Sequence, residues 1–450
     1  MFNRSKINTG RPVVVLSLDG VPYTFLKARI EAGELPNLAG LFKDGSKRRM
    51  NSVQPCISSV AWASYLTGKN PGKHHIYGFI DKKPHTFDLY VPTASHMRGD
   101  TILDLLSRAG KRVFMMNVPV TYPPRRVNGV LIGCFLCSRL EQIAYPANIS
   151  EELKDIGYKI DADAKIARQD LDQYLKDCNE ALEKRAEALF HFLKREPWDF
   201  FQCHIMETDR MNHFFWSHME ENDPRYAKAV LDFYRRVDQI VGEVAESIGS
   251  EAQLILLSDH GFCSIDKEIY LNYYLAEAGL LKLRTSQPRS ISDMHPDSMA
   301  YSLIPGRVFI NLKGREPNGS VQPEQYEDVR ELVKHEMMAM RDPESCKPII
   351  RSVLKREEVY TGADLTTAAD LIAVPHDGYD LKSDIRKMMP GERTALVGMH
   401  TFDDSFLFVR DRDLRCADNE LWIGDVGPTI LDMMSIPAPS DMDGVSLLAH

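Results

Sequence analysis

Acidic and histidine side chains recur in this 450-residue chain where they could hold divalent cations. Carboxylate oxygens and imidazole nitrogens are ligands that zinc and manganese accept in proteins. The candidate ligands are Asp19, Asp209, His213, Asp259, His260 and His400. Each of them alone also has an ordinary structural explanation, because an aspartate that follows a buried strand often caps the next helix.

The spacing of two pairs favours shared ions. Asp209 and His213 lie four residues apart, so on a helix they share one face, although a capped helix with a solvated histidine has the same pattern. Asp259 and His260 are adjacent in SerAspHisGlyPhe, and at a strand-end turn they can point to two neighbouring ions. We expect Gly261 to permit that tight turn.

A hydroxyl-rich segment at residues 55–68 offers a candidate nucleophile. Its sequence is ProCysIleSerSerValAlaTrpAlaSerTyrLeuThrGly, in which Ser58 would lie where a helix begins. Unbonded N–H groups and the helix dipole can hold an anionic phosphoryl group at such a position. The alternative is that Ser58 or Ser59 only caps the helix.

Short buried strands that alternate with helices must position these side chains. Three of the apolar runs end at acidic residues, and parallel strands covered on both faces bind ligands beyond their carboxyl ends. We therefore predict an α/β fold with a mostly parallel sheet. The predicted strands are residues 13–18, 113–116, 130–132, 200–206 and 254–258, and the predicted long helices are residues 179–195 and 225–248.

Residues 280–365 differ from the rest, being rich in Pro, Arg and Glu with one helical stretch. We predict that they form a smaller inserted, lid-like subdomain. Residues 1–279 and 366–450 would then form the metal-dependent core. Residues 369–374 are expected to return to the main sheet.

Composition restricts the partners. With 55 Lys+Arg and 64 Asp+Glu the net charge is -9, which argues against a nucleic-acid polymer or an anionic membrane. No apolar run approaches the ~20 residues that span a bilayer. The first residues lack the apolar centre of a secretory signal, and the cysteines are scattered, so we expect a cytoplasmic protein. The oligomeric state stays open.

Six motifs follow one another along nearly the whole chain. They are LeuSerLeuAspGly at 16–20, the segment 55–62 continuing into ThrGlyLysAsnProGlyLysHis at 67–74, GluThrAspArgMetAsnHisPhePheTrp at 207–216, SerAspHisGlyPhe at 258–262, GlyMetHis at 398–400 and AspMetAspGlyValSerLeu at 441–447. Together they resemble the alkaline phosphatase superfamily, specifically its type I phosphodiesterase and nucleotide pyrophosphatase branch.

The resemblance implies an alkaline phosphatase-like three-layer α/β/α sandwich with two metal sites. Carried over residue by residue, the first site comprises Asp209, His213 and His400, and the second comprises Asp19, Asp259 and His260. Ser58 matches the nucleophile and would also touch the second metal. Two Zn²⁺ ions are the expected cofactors, with Mn²⁺ as the alternative.

The implied activity is hydrolysis of phosphodiester or phosphoanhydride bonds in a small phosphorylated substrate, such as a nucleotide, through a phosphoseryl intermediate. A phosphomonoesterase or phosphosugar mutase could use the same two-metal core. An inactive metal-binding or interaction protein is the alternative of another class. A sulfatase is disfavoured, because Cys-x-Pro-x-Arg is absent around Ser58.

Other positions bear on the substrate. Phe79 stands where the family has a phosphate-binding Asn, which puts nucleotide specificity in doubt. His75 is a polar group near the mouth of the site, with an ordinary surface histidine as the alternative. Lys69 and Lys73 could attract an anionic substrate or lie in a solvated loop.

Overall fold

A computed structural model describes residues 10–387 and 389–449. Its strands, in chain order, are β1 Val13–Leu18, β2 Gly45–Met50, β3 Asp81–Lys82, β4 Leu89–Tyr90, β5 Val113–Met116, β6 Gly129–Ile132, β7 Ala144–Tyr145, β8 Phe200–Ile205, β9 Gln253–Leu257, β10 Gly261–Ser264, β11 Lys267–Tyr270, β12 Ala300–Ile304, β13 Arg307–Ile310, β14 Ile350–Lys355, β15 Leu371–Pro375, β16 Tyr379–Lys382, β17 Gly391–Glu392, β18 Gly398–Thr401 and β19 Ser405–Arg410.

The helices lie between these strands. They are α1 Tyr23–Glu31, α2 Pro36–Leu41, α3 Ser58–Thr67, α4 Pro71–His74, α5 Ile102–Arg108, α6 Ile149–Ile156, α7 Ala164–Ala167, α8 Leu171–Arg195, α9 Glu207–Glu220, α10 Ala227–Ile248, α11 Leu271–Glu277, α12 Tyr326–Met338, α13 Arg356–Val359 and α14 Val426–Met433. Over residues 10–387 and 389–449, no helix is both long and apolar enough to cross a bilayer. The cytoplasmic location stays a prediction.

The main sheet has eight strands in the order β2-β19-β9-β1-β8-β5-β6-β7. Five neighbouring strands, β9, β1, β8, β5 and β6, run parallel, while β19, β2 and β7 join antiparallel. The predicted mostly parallel sheet is therefore confirmed. Its core strands read as continuous apolar runs because both faces of the sheet are covered.

Alternate side chains of β1 show the three layers. Val14 and Leu16 pack in one apolar cluster with residues of α8, α9 and α10. Val13 and Val15 pack in another cluster with residues of α3, α5 and α14. Side chains alternate across a strand, so helices must cover both faces of the sheet. The predicted α/β/α sandwich is confirmed.

A second sheet has the order β12-β13-β15-β14, with every pair antiparallel. The expectation that residues 369–374 return to the main sheet is wrong, since β15 pairs with β13 and β14 instead. An apolar run shows that a strand is buried, but not which sheet it joins. The chain re-enters the main sheet at β19. The division of the domains at residues 280 and 365 stays a prediction.

A buried histidine at the end of α4 predicts a pH dependence of stability. His74 Nδ1 accepts a hydrogen bond from the Ile76 N–H at 3.1 Å, and Nε2 lies 3.0 Å from Ser64 Oγ. Burial lowers the pKa of His74 to about 3, from 6.5. On acidification the His74 side chain is protonated in the unfolded chain at a higher pH than in the folded chain. Its contribution to stability is therefore present above pH 6.5 and is lost progressively down to pH 3.

When the pH falls from 7 to 5, we therefore expect the free energy of unfolding to decrease by about 2 kcal/mol because of His74. Urea unfolding of the wild type and of His74→Gln at both pH values measures this contribution. The variant is expected to lose less stability on acidification than the wild type. Equal losses would show that His74 does not stay neutral in the folded protein.

Candidate metal centre

The topology brings three predicted aspartates to one edge of the main sheet. Asp19 directly follows β1, and Asp259 lies just beyond the neighbouring parallel strand β9. Asp209 lies in the first turn of α9, which begins after β8 on the other side of β1. The carboxyl ends of parallel strands meet at one edge, so these three carboxylates converge.

A pair of short strands carries His400 to the same place. β18 pairs antiparallel with β10, which begins directly after His260. The rings of His260 and His400 stack with their centroids 3.6 Å apart. A Cβ on Gly261 would lie 2.4 Å from Thr401 Oγ1. Gly261 is thus needed for the close approach of the two strands, and the expected tight turn is not the reason for it.

The predicted first group of ligands is assembled around one oxygen. Asp209 Oδ1 lies 3.3 Å from His213 Nε2 and 3.2 Å from His400 Nε2, and these nitrogens are 3.1 Å apart. The opposite ring nitrogens face carbonyl oxygens, with His213 Nδ1 2.9 Å from Gly398 O and His400 Nδ1 3.1 Å from Cys56 O. A carbonyl only accepts, so each Nδ1 donates and each Nε2 offers its lone pair.

The predicted second group lies beside it and includes Ser58. His260 Nε2 is 3.4 Å from both Asp19 Oδ1 and Asp259 Oδ2. Ser58 Oγ is 3.1 Å from His260 Nε2 and 3.3 Å from Asp19 Oδ1. The candidate nucleophile and the other two candidate ligands therefore all lie close to His260 Nε2.

The capping alternatives do not describe Ser58 or Asp19. Helix α3 begins at Ser58, with Ile57 as its N-cap and no side-chain capping bond. The Ser58 hydroxyl faces the ligands instead. Helix α1 has Pro22 as its N-cap, again without a side-chain bond, so Asp19 does not cap it.

His260 lies close to the ligand atoms of both predicted sites. The ligand atoms of Asp209, His260 and His400 lie within 4.8 Å of one another, as do those of Asp19, Asp259 and His260. His213 is outside the first of these compact groups, although its Nε2 adjoins Asp209. The seven predicted residues thus form one continuous cluster, and their division between two ions stays a prediction.

The buried carboxylates are incompletely paired. Asp19, Asp209 and Asp259 are each at most 2% exposed. Within the described part of the chain, Asp209 Oδ1 and Asp259 Oδ2 accept no hydrogen bond. A buried carboxylate oxygen without a hydrogen-bond partner is unfavourable, and a bound cation would satisfy it. The cluster therefore fits divalent ions with an oxygen and imidazole preference.

Opposite pKa shifts show the crowding of charge. Burial favours the neutral form of Asp19, but its contacts with His204 and His260 outweigh burial and hold its pKa well below the usual value. Burial and the charge of Asp19 raise the pKa of Asp259 well above its usual value. Burial also lowers the pKa of His213 to about 4. The neutral imidazole that results is the form that binds metals.

Several residues that support the ligands were not predicted. Trp62 Nε1 donates to Asp19 Oδ2 at 3.0 Å, and His204 Nε2 lies 3.0 Å from the same oxygen. Arg210 donates to Asp209 Oδ2 at 3.0 Å. His204 had a sequence signal, because it is a polar residue in the apolar run of β8. Trp62 gave no signal for its role, which depends on the contact between α3 and the end of β1.

Phe79 and His75, the residues predicted to lie near the substrate, each contact a further side chain. Phe79 meets Phe135 edge to face, with centroids 5.5 Å apart, and the Arg210 guanidinium lies 5.1 Å from the centre of the Phe135 ring. Phe79 is therefore connected to the metal centre through one aromatic ring and one cation. His75 Nε2 lies 3.0 Å from Arg98 Nη1.

The two lysines after α3 are paired. Lys69 forms an ion pair with Asp441, and Lys73 forms one with Asp443. Their charges are compensated by the motif at residues 441–447. This pairing favours a structural role over the predicted attraction of an anionic substrate.

A family model described as "Type I phosphodiesterase / nucleotide pyrophosphatase" matches residues 13–403. The chain belongs to this family. The prediction of a hydrolase from this branch of the alkaline phosphatase superfamily is thereby confirmed. Membership also agrees with a site that is built from carboxylates, imidazoles and a hydroxyl.

The solved structures of two other hydrolytic enzymes have a similar fold. Phosphonoacetate hydrolase from Sinorhizobium meliloti 1021 is 18% identical, with a TM-score of 0.64 over 95% of this chain and 96% of that chain. Murine ectonucleotide pyrophosphatase/phosphodiesterase 5 is 13% identical, with a TM-score of 0.56 over 98% of this chain and 100% of that chain. At these identities the similarity supports the architecture alone.

Proposed function

We propose that this protein hydrolyses phosphodiester or phosphoanhydride bonds through a phosphoserine at Ser58, with two divalent ions, most simply Zn²⁺. The observation that carries the proposal is the position of the Ser58 hydroxyl. It lies 3.1 Å from His260 Nε2 and 3.3 Å from Asp19 Oδ1, two of the candidate ligands of the second ion. A serine that only capped α3 would direct its hydroxyl to the backbone N–H groups of the helix and not to these ligands.

In the proposed reaction Ser58 Oγ attacks phosphorus. A bond forms between Oγ and phosphorus while the bond to the leaving oxygen breaks, which gives a phosphoseryl intermediate. Water then displaces Ser58 Oγ from phosphorus and releases the phosphorylated product. The proton lost by Ser58 goes to the leaving oxygen in the first step, and water returns a proton to Ser58 Oγ in the second, so that one water is consumed for each bond cleaved.

The start of α3 would hold the phosphoryl oxygens. The first intrahelical bonds are donated by the N–H groups of Val60 and Ala61 to Ile57 O. The N–H groups of Ser58 and Ser59 precede those bonds, and such groups together with the helix dipole favour an anion. The same turn that orients the nucleophile would thus bind the group under attack.

Asp209, His213 and His400 would hold one ion, and Asp19, Asp259 and His260 would hold the other. When bound, divalent ions supply Lewis-acid stabilisation of the charge on the attacking, leaving and phosphoryl oxygens. Trp62 and His204 would keep the Asp19 carboxylate oriented through their contacts with Oδ2. Manganese is the alternative metal, because it accepts the same donor types.

A small substrate is supported by the relatives that share the fold. The Sinorhizobium meliloti phosphonoacetate hydrolase was solved with phosphonoformate, and the murine pyrophosphatase/phosphodiesterase with AMP. A diester is favoured over a monoester by the pairing of the nearby cation. Arg210 already binds Asp161 and Asp209, so it is not free to balance the extra negative charge of a monoester.

Hydrolysis of bis(4-nitrophenyl) phosphate and 4-nitrophenyl phosphate tests this function. The purified protein is assayed with zinc, with manganese and after chelation. We expect the kcat/KM for the diester to exceed that for the monoester by at least about tenfold, and chelation to abolish both activities. A monoester preference would favour the phosphatase or mutase alternative. Inactivity with both metals would favour the inactive metal-binding alternative.

A further inference from the structure

A cavity of about 260 Å³ lies between the candidate metal centre and the second sheet. His213 and His400 line it from the core side. Residues of β14, β15 and β16 line it from the other side, among them Arg351 and Lys382. Two candidate metal ligands and charged residues without a role in the proposed mechanism thus line the same cavity.

Arg351 lines this cavity as an exposed cation that forms no ion pair with a described residue. Lys382 forms an ion pair with Asp380, which also lines the cavity. Four other arginines in the same part of the chain are paired as well, namely Arg307, Arg315, Arg330 and Arg356. The Arg351 side chain makes no hydrogen bond or ion pair within the residues that the structure describes. Its planar guanidinium is suited to carboxylate or phosphate.

A strand irregularity places Arg351 there. Ile350 pairs with Pro375 and Ser352 pairs with Val374, so two steps along β14 correspond to one step along β15. Arg351 is the extra residue of this bulge. Bulges redirect side chains and are frequent beside active sites. Regular pairing at this position would need one residue fewer in β14.

The cavity lies on the leaving-group side of the proposed reaction. Ser58 adjoins Asp19 and His260. In an in-line displacement the leaving oxygen departs opposite the attacking oxygen, which here is toward Asp209, His213 and His400. Two of those three residues line the cavity. A leaving group of moderate size would therefore enter it.

We propose that Arg351 binds an anionic oxygen group, carboxylate or phosphate, on the leaving group. This inference rests on the proposed function and specifies its substrate class. The preferred substrates carry a negative charge beyond the bond that is cleaved, as phosphoanhydrides do. Substrates with an uncharged leaving group react without this contact.

Matched aryl esters test the proposal. The substrates are methyl 4-nitrophenyl phosphate, its 3-carboxy derivative and its 3-phosphono derivative, assayed with the metal-loaded protein. We expect Arg351→Ala to lower the ratio of kcat/KM between a charged ester and the neutral one by about tenfold, mainly through KM of the charged ester. Because the wild type and the variant are compared on the same esters, differences in the acidity of the leaving groups cancel. Whichever charged ester responds more identifies the preferred group.

Two control variants distinguish the loss of the Arg351 charge from a structural change in the cavity. Arg351→Lys is expected to retain part of the ratio, because it keeps the positive charge. Asp377→Asn changes an opposite charge in the same cavity and is expected to keep the ratio at or above the wild-type value. Calorimetric binding of the charged and neutral esters to Ser58→Ala, with and without Arg351→Ala, gives a readout that is independent of turnover.

The outcomes are distinguishable. If the wild type hydrolyses all three esters but Arg351→Ala leaves the ratios unchanged, the inference about Arg351 is wrong and the proposed function stands. If the metal-loaded wild type hydrolyses none of them, the proposed function fails and this inference fails with it. A loss of the ratio in Asp377→Asn equal to that in Arg351→Ala would also overturn the specific role of Arg351.

Discussion

Ser58→Ala is expected to lower kcat for the diester by at least about 10³-fold while the fold and the metal content stay close to those of the wild type. The hydroxyl is the proposed attacking group, and no other hydroxyl contacts both Asp19 and His260 among the described hydrogen bonds. Steady-state kinetics, circular dichroism and metal analysis of the same preparation measure the three quantities.

Ser59→Ala is the matched control for this variant. Ser59 is the next residue of α3 and is equally buried, but its hydroxyl has no hydrogen-bond partner among the described residues. Removing it tests the effect of a lost hydroxyl in the same helical turn. Near-normal turnover by Ser58→Ala, or an equal loss in both variants, would contradict the role of Ser58 as nucleophile.

The second large effect is expected from His400→Ala. His400 Nε2 lies 3.2 Å from Asp209 Oδ1 and 3.1 Å from His213 Nε2, so its removal takes one of three converging ligands from the first proposed site. We expect metal affinity at that site to fall by at least about 10²-fold and the bound metal to fall from two ions toward one. Equilibrium dialysis followed by elemental analysis measures both.

His218→Ala provides the comparison for histidine removal. His218 lies at the other end of α9 from the ligands and contacts Asp223, with 2.9 Å between Nδ1 and Oδ2. This variant is expected to bind two ions. Two ions of unchanged affinity in His400→Ala would remove His400 from the proposed ligands.

The sequence was sufficient to predict how the aspartates meet. Asp19, Asp209 and Asp259 follow short apolar runs, and such runs in a parallel sheet end at one edge. The structure places all three carboxylates there, each almost fully buried. The four-residue spacing of Asp209 and His213 likewise predicted a shared helix face, which α9 confirms.

Other features depend on long-range pairing that local patterns do not encode. Residues 369–374 have the apolar character of a core strand, yet β15 belongs to the second sheet. His400 reaches Asp209 only because β18 pairs with β10, and the sequence indicated its role only through the family resemblance. The contact of Trp62 with Asp19 also joins residues that are far apart in the chain.

Anomalous diffraction from zinc-loaded crystals would show whether the cluster around Ser58 holds two metal ions. We expect two peaks about 4 Å apart, each about 2 Å from its nearest ligand atoms. One peak should lie among Asp209, His213 and His400, and the other among Asp19, Asp259 and His260, with Ser58 beside the second. A single peak in the cluster, or zinc bound elsewhere, would contradict a dinuclear centre at Ser58.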